Sequence, residues 1–142
     1  MTVASLALRT SNITINQAPC QLLTTAAVKC KILEVSVVSA AATAASYGFG
    51  RPAAAAVTPG TTSTFQRDDS ADPACVTTIS LTYATSPTNP TNMHRRWNSA
   101  ATIGVGTIWS FPQLMTVPVS GAVTICNITA SAALDVNWII DE

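Results

Sequence analysis

The chain has 142 residues, of which only 10% are charged, and its seven basic and seven acidic side chains leave no formal net charge. A chain of this length predicts a single domain, residues 1–142, that buries roughly 68% of the surface of the unfolded chain. The neutral charge balance argues against a nucleic-acid-binding protein, because such proteins need a basic face that displaces counterions.

The N-terminal part of the chain gives a strand pattern at residues 12–16, where apolar and polar side chains alternate. Residues 21–28 fit either a further strand or part of an extended arm. An extended N-terminal arm spanning residues 1–28 therefore stays open as an alternative to an N-terminus that is packed into the domain.

A more definite strand is predicted at residues 29–38, which are rich in β-branched side chains. Alternation places Leu33, Val35 and Val37 together on one face. The other face is half apolar, which suits a strand that is covered on both sides or lies at a subunit boundary. The alanine-rich residues 39–46 have no amphipathic stripe, so a loop is predicted there, with a short helix as the alternative.

The middle of the chain contains short segments separated by turn-forming residues. Residues 53–57 follow Pro52 and predict a short edge strand, because proline is tolerated at a sheet edge but not in a central strand. Further strands are predicted at residues 61–66 and 76–82. The acidic segment 67–74 between them is predicted to be a loop.

The C-terminal part of the chain predicts the largest number of strands. Pro112 is expected to end one of them and so to separate it from the next. The predicted strands are residues 93–98, 105–111, 114–119, 123–128 and Leu134–Asp141.

The last of these strands, Leu134–Asp141, alternates strictly over its whole length. One face is expected in the core because it carries four large apolar side chains, namely Leu134, Val136, Trp138 and Ile140. The opposite face is mostly polar but includes Ile139, which is a candidate contact with a neighbouring subunit. The alternative is a single exposed apolar side chain of the kind that is normal on a protein surface.

This series of short strands, with turn signals every eight to twelve residues and no long amphipathic helix, predicts an all-β fold. We predict a two-sheet β-sandwich of about eight strands in a jelly-roll-like arrangement. The alternative is an immunoglobulin-like sandwich, although the chain lacks Cys, Trp and Cys in order at the core spacing that is expected in that fold.

No group of residues gives a catalytic signature. His94 as a general base would need a nucleophile and an orienting acid, and no local motif supplies them. The pairs Gly48/Gly50 and Gly104/Gly106 lack the third glycine, or the following lysine, of a nucleotide-binding loop. The sequence therefore predicts a protein that is not an enzyme and that uses no cofactor.

Two groups of residues resemble metal ligands, and a structural role is preferred for both. Asp68, Asp69 and Asp72 could bind calcium, but their spacing differs from an EF-hand loop and fits a solvated turn. The cysteines form no close pair, which argues against zinc and against a disulfide framework. We expect four reduced, buried thiols, at Cys20, Cys30, Cys75 and Cys126.

Arg95 and Arg96 are candidate interface residues, together with Ile139. Neighbouring arginines in a strand point to opposite faces, so one can pair within its own subunit while the other meets a neighbour. Arginine suits interface ion pairs because its guanidinium binds carboxylates through two hydrogen bonds. The alternative is that both arginines are exposed and contribute little.

Neither a membrane span nor an export signal is expected. The chain contains no run of 18 or more apolar residues. Its first residues lack a basic end, a long apolar stretch and a cleavage site. The low charge content predicts instead that other copies of the chain, or a larger assembly, cover much of the surface. A modestly soluble, threonine-rich monomer is the alternative.

Three blocks of sequence resemble small structural proteins of tailed phages. They are YGFGRPAAAAVTPG at residues 47–60, SPTNPTNMHRRWNSAATIGVGTIWSFP at residues 86–112 and SGAVTICNITASAALDVNWIIDE at residues 120–142. Such chains are rich in alanine, threonine and proline, and they end in a tryptophan-bearing strand followed by two acidic residues. The three blocks cover a little under half of the chain.

The resemblance implies a virion protein, specifically a capsid cement (decoration) protein that binds the phage head as a homotrimer. Its expected partners are other copies of itself and the major capsid protein, with neither nucleic acid nor membrane. It would be made in the host cytoplasm and reside on the head surface. The alternatives are a tail- or fibre-associated protein with the same fold, and a carbohydrate-binding β-sandwich that uses Trp97.

Overall fold

The computed structural model describes residues 2–11, 17–130 and 132–142, so the strand predicted at residues 12–16 lies outside the described part. The described residues form thirteen strands and no helix. The strands are β1 (Val3–Arg9), β2 (Cys20–Leu23), β3 (Cys30–Ser39), β4 (Ala45–Gly50), β5 (Val57–Pro59), β6 (Thr62–Thr64), β7 (Gln66–Arg67), β8 (Thr78–Ser80), β9 (Tyr83–Thr85), β10 (Arg95–Ser99), β11 (Gly106–Val117), β12 (Ala122–Asn127) and β13 (Leu134–Asp141).

The strands form two antiparallel sheets that pack face to face, as predicted. Sheet A has the order β11-β3-β13-β1-β7, and sheet B has the order β10-β4-β12-β2-β8-β6. Eight of the strands pair as four nested hairpins: β1 with β13, β2 with β12, β3 with β11 and β4 with β10. This nested pairing, with pairs alternating between the two sheets, is the jelly-roll arrangement.

The segment between β4 and β10, residues 51–94, is inserted into this eight-stranded framework. It supplies β6 and β8 to sheet B and β7 to sheet A, and its β5 and β9 form a separate two-stranded sheet. It also covers the outer face of sheet B. The Ala56 N–H donates to Gln21 Oε1 at 3.0 Å, and a Cβ on Gly48 would overlap the Met93 sulfur. The central strands of sheet B, β2, β4 and β12, are therefore buried on both faces, whereas the outer face of sheet A is partly exposed.

The core lies between the two sheets and confirms the prediction for the last strand. The four alternating apolar side chains of β13 are all buried. Trp138 has no exposed surface, and its ring centroid lies 5.8 Å from that of Phe49 in sheet B. Phe49 also contacts Trp109 and Phe111, at 5.8 and 5.2 Å between ring centroids. These aromatic rings join the two sheets.

The strand predicted at residues 29–38 is confirmed as β3, but its predicted face is partly wrong. Val35 and Val37 are buried as a pair, whereas Leu33 is only half-buried and Ile32 takes its place in the core. The cause is a β-bulge at Leu33, because Ile139 and Ile140 of β13 pair with Glu34 and Ile32. One extra residue reverses the alternation on either side of the bulge.

Two further predictions about strands are wrong. The edge strand expected at residues 53–57 does not form, because Ala54 makes only an isolated bridge to Thr88 and the local strand begins at Val57. Pro112 does not end a strand, because β11 runs continuously through it. Pro112 lies in a bulge of an edge strand, where a missing N–H is tolerated.

Within residues 1–28, where an extended arm was the alternative, the structure describes β1 in sheet A and β2 in sheet B. β1 pairs along its whole length with β13. Thr2 and Glu142 extend this pairing through two backbone hydrogen bonds of 2.8 and 3.0 Å. The Glu142 carboxylate also accepts the N–H groups of Val76 and Thr77, at 2.9 and 2.8 Å.

Candidate functional site

The candidate site lies where the edge strands of the two sheets meet. β10 is one edge of sheet B and β11 is one edge of sheet A; we call the surface formed by residues 94–117 the β10/β11 edge. Arg95 pairs with the inward-facing Phe49, and Arg96 pairs with the outward-facing Gly48. The two arginines therefore point to opposite faces of sheet B, as the alternation predicts.

A cleft of about 460 Å³ lies at one end of the β10/β11 edge. His94 and Arg95 line one side of the cleft, and residues 111–115 line the other. The Arg95 guanidinium carbon lies 5.1 Å from the centroid of the Phe111 ring, which is cation–π geometry. The cleft thus combines positive charge with apolar walls.

A large bulge in β11 shapes this cleft. Ser110 pairs with Glu34 and Met115 pairs with Ile32, so the four residues 111–114 oppose Leu33 alone. Leu114 has a φ of 51°, a left-handed conformation that is strained for a bulky side chain. The bulge moves residues 111–114 away from regular pairing and keeps them exposed beside Arg95, apart from the buried Phe111 ring.

The β10/β11 edge carries positive charge without a carboxylate partner. Arg51 lies next to it, because its Nη2 donates to the Thr116 carbonyl at 2.8 Å. Among the described residues, ion pairs involve Arg9 with Asp135 and Lys31 with Asp141. The guanidinium groups of Arg51, Arg95 and Arg96 are therefore available to a carboxylate from another molecule.

The other end of the β10/β11 edge is apolar. Ile103 in the loop before β11 is 66% exposed, and Ile108 within β11 is 64% exposed. Residues 100–110 contain no charged side chain. Edge strands of monomeric proteins are commonly blocked by charge, proline or a bulge, and the first half of β11 has none of these. This combination is typical of a surface that another chain covers.

The structure separates the three residues that the sequence singled out. Ile139 lies on the outer face of sheet A between Glu34 and Ser5, its partners in the neighbouring strands. It is half-buried and two strands away from β11. A contact of Ile139 with another subunit stays a prediction, and it would involve a different surface from Arg95 and Arg96.

The sequence analysis did not identify the exposed apolar residues of the β10/β11 edge or the walls of its cleft. Ile103 and Ile108 carried a signal, because large apolar residues in a charge-free stretch beside glycine suggest an exposed loop and edge. Residues 111–115, which form one wall of the cleft, gave no such signal in the sequence. Their position depends on a bulge, and a bulge depends on the register between two strands.

Trp97 occupies the inner margin of β10. Its ring stacks on the buried Tyr47 ring, with 5.7 Å between centroids and 21° between planes. The side chain is half-buried and packs against the core. One face of the indole is therefore already used inside the protein.

The outer face of sheet A carries a well-formed ion pair between β1 and β13. The Arg9 Nε and Nη2 atoms donate to the two carboxylate oxygens of Asp135, both at 2.7 Å. The hydrogen bonds, and then the charge of Arg9, lower the pKa of Asp135 below its ordinary value.

Arg9→Met is expected to raise the pKa of Asp135 towards its ordinary value of about 3.9. Because the folded-state pKa is lowered, the pair stabilises the fold above the unfolded-state pKa, and this is lost as the pH falls through the folded-state pKa. The effect on stability is small because both groups are largely exposed. An NMR titration of the Asp135 carboxyl carbon measures it; the same midpoint in both proteins would contradict the pairing.

All four cysteines are free and buried, as the sequence predicts. Burial raises the pKa of Cys20 and of Cys30 to about 12 and that of Cys126 to about 11. The pKa of Cys75, which is slightly more accessible, is also raised by burial. Thiolate is the reactive form, so these thiols are poor nucleophiles in the folded protein.

The native protein is therefore expected to resist iodoacetamide at pH 8, with Cys75 alkylated first. At a pKa of about 12, only on the order of one thiol in ten thousand is ionised at that pH. Mass spectrometry of timed samples measures the modification, and guanidinium-unfolded protein, in which all four react rapidly, is the control. Rapid alkylation of Cys20 in the native protein would contradict its burial.

Over residues 2–11, 17–130 and 132–142, no group of three His, Cys, Asp or Glu side chains is arranged to hold a metal ion. The same residues contain no helix that is long and apolar enough to cross a membrane. No protein-family model, no curated protein and no solved structure matches this chain.

Proposed function

We propose that the chain is a non-enzymatic structural protein of a phage virion, a decoration protein that binds the outer surface of the head as an oligomer and stabilises the shell. The observation that carries this proposal is the β10/β11 edge. It joins unpaired arginines to the most exposed large apolar side chains of the described residues, Ile103 and Ile108.

The rest of the surface supports association as the mode of action. Net charge is zero and charged residues are few, so electrostatic repulsion between copies is weak. The outer face of sheet A is partly exposed, whereas the inserted segment 51–94 covers the central strands of sheet B. A rigid sandwich that repeats over a shell gains avidity from many weak contacts, and a capsid offers such a repeated surface.

The resemblance of residues 47–60, 86–112 and 120–142 to tailed-phage structural proteins supports the phage setting. The jelly-roll framework supports the same class of function, since this architecture is common in viral capsid domains. A tail- or fibre-associated protein would share both features, and so the experiment must separate head from tail.

The test is to add the purified chain to phage heads and to tails that lack it, and to measure co-sedimentation and resistance of the heads to heat. The expected result is saturable binding to heads, at a fixed number of copies per shell, together with a higher disruption temperature. Binding to tails alone would replace the head assignment with the tail-associated alternative. Binding to neither structure would overturn the proposal.

A further inference from the structure

A second charged surface lies at the opposite side of the molecule from the β10/β11 edge. Residues 68–74, which we call the acidic loop, follow β7, the edge strand of sheet A farthest from β11. The loop is anchored because the Asp68 N–H donates to the Val3 carbonyl at 2.9 Å. Asp69 folds it into a turn by accepting the Ala71 N–H at 2.8 Å.

The carboxylates of the acidic loop face solvent and have no ion-pair partner among the described residues. Asp68 and Asp69 are exposed, and Asp72 is partly exposed. Arg67 contributes one positive charge at the base of the loop, where its guanidinium donates to the Asp72 carbonyl. The molecule thus has an acidic surface at one edge of sheet A and a basic one at the other.

The two surfaces lie at the same level along the strands. A single row of paired residues crosses sheet A from edge to edge, and it comprises Met115, Ile32, Ile140, Ala4 and Arg67. Met115 lines the cleft of the β10/β11 edge. Arg67 directly precedes the acidic loop. The cleft and the loop therefore lie at opposite ends of the same row, which crosses all five strands of sheet A.

This placement has a consequence for association between copies. When one surface of a copy binds a different surface of the next copy, the same contact can repeat from copy to copy. The copies close into a ring if they are related by a pure rotation. A rotation axis parallel to the strands keeps every point of the molecule at its own level. Surfaces that lie at one level on opposite sides can therefore meet around such a ring.

We propose that copies of this chain associate head to tail, with the acidic loop of one copy bound at the cleft and arginines of the β10/β11 edge of the next. Asp69 and Asp72 face Arg95 and Arg51, and the small side chains of the loop occupy the apolar part of the cleft. This inference deepens the proposed function, because it names the surfaces through which the decoration protein forms its oligomer.

The partner is a second copy because this chain itself carries both of the oppositely charged surfaces. Opposite charges attract and orient the two surfaces, whereas two acidic loops or two basic edges repel each other. A two-fold contact through either surface alone would place like charges together. Head-to-tail contact is the arrangement that leaves neither set unpaired, which is consistent with a chain of zero net charge.

The experiment uses charge reversal at each surface. The loop variant is Asp69→Lys with Asp72→Lys, and the edge variant is Arg51→Glu with Arg95→Glu. Each is expected to weaken self-association at least about tenfold, because like charges then oppose each other. A chain that carries all four changes restores complementarity and is expected to recover the oligomer. Sedimentation equilibrium and native mass spectrometry measure the masses.

Arg9→Glu is the control, since it reverses a charge at the far end of β1, three strands from β11 and five residues along the strand from Ala4, whose row ends at the acidic loop. It is expected to leave the oligomer intact. Circular dichroism and the melting temperature show that each variant is folded, and recovery by the fourfold variant excludes misfolding as the cause. Raising the salt from about 0.1 M to about 1 M should weaken the wild-type oligomer.

Loop and edge variants that both keep the wild-type mass would overturn the inference, as would a wild-type chain that is monomeric at low salt. The head-binding assay reports separately on the proposed function. If the oligomer binds heads but charge reversal leaves it intact, the proposed function is supported and the proposed interface is wrong. If charge reversal dissociates the oligomer but the wild-type oligomer binds no heads, the proposed interface is supported and the proposed function is wrong.

Discussion

Trp138→Ala is expected to lower the free energy of unfolding by about 3–5 kcal/mol. The indole has no exposed surface, and it lies in β13, the central strand of sheet A. It packs on the opposite sheet through Phe49, with 5.8 Å between ring centroids. Removing it leaves a cavity between two rigid sheets, which cannot close over the gap without shifting. Urea denaturation followed by circular dichroism measures the change.

Ile139→Ala is the matched control for this substitution. Ile139 is the next residue in the same strand, but it points to the outer face of sheet A and is only half-buried. Its loss is expected to cost clearly less than that of Trp138, because less apolar surface returns to water. Equal losses for the two variants, or an unchanged urea midpoint for Trp138→Ala, would contradict the assignment of these faces.

The alternation of side chains predicted the last strand because its surroundings are simple. From Leu134 to Ile140, one face of β13 is buried in the core and the other is half-exposed, so polarity along the strand records burial directly. The same reasoning identified β3, and it failed there only at Leu33, where a bulge shifts the phase. A bulge is a property of two paired strands, and the partner of β3 cannot be read from the sequence of β3 alone.

Sheet B was harder to predict for a physical reason. The inserted segment 51–94 covers its outer face, so β4 and β12 are buried on both sides and lose the alternation. β4 also contains two glycines, which usually weaken a strand. Here Gly48 is required, because a Cβ would overlap the Met93 sulfur of the insertion. The contact depends on the tertiary structure, and no local pattern indicates it.

The sequence predicted the charged residues of the candidate site but not the shape of the cleft beside them. Arg95 and Arg96 stand out in a charge-poor chain, and the alternation placed them correctly on opposite faces. The cleft beside them needs the bulge at residues 111–114. Predicting that this cleft and the acidic loop lie at opposite ends of one row of paired residues would require the complete strand order of sheet A. The two segments are distant in sequence, and only the folded sheet places them on the same row.

Phe49→Ala is likewise expected to lower the free energy of unfolding by about 3–5 kcal/mol. Phe49 has no exposed surface and contacts three aromatic rings of sheet A, those of Trp109, Phe111 and Trp138. It is therefore the residue of sheet B on which the aromatic part of the core converges. Chemical denaturation with tryptophan fluorescence measures the loss; a loss below about 1 kcal/mol would contradict this central position.

The two large substitutions should not be additive. Phe49 and Trp138 fill adjoining space, so the second truncation enlarges a cavity that the first has already made, and a coupling of about 0.5–3 kcal/mol is expected in a double-mutant cycle. A coupling near zero would show that the sheets do not meet through this pair. Phe49 also packs against the Phe111 ring, and the Arg95 guanidinium lies over that ring. Phe49→Leu, which keeps more of the volume, should therefore weaken self-association through the β10/β11 edge while the fold persists.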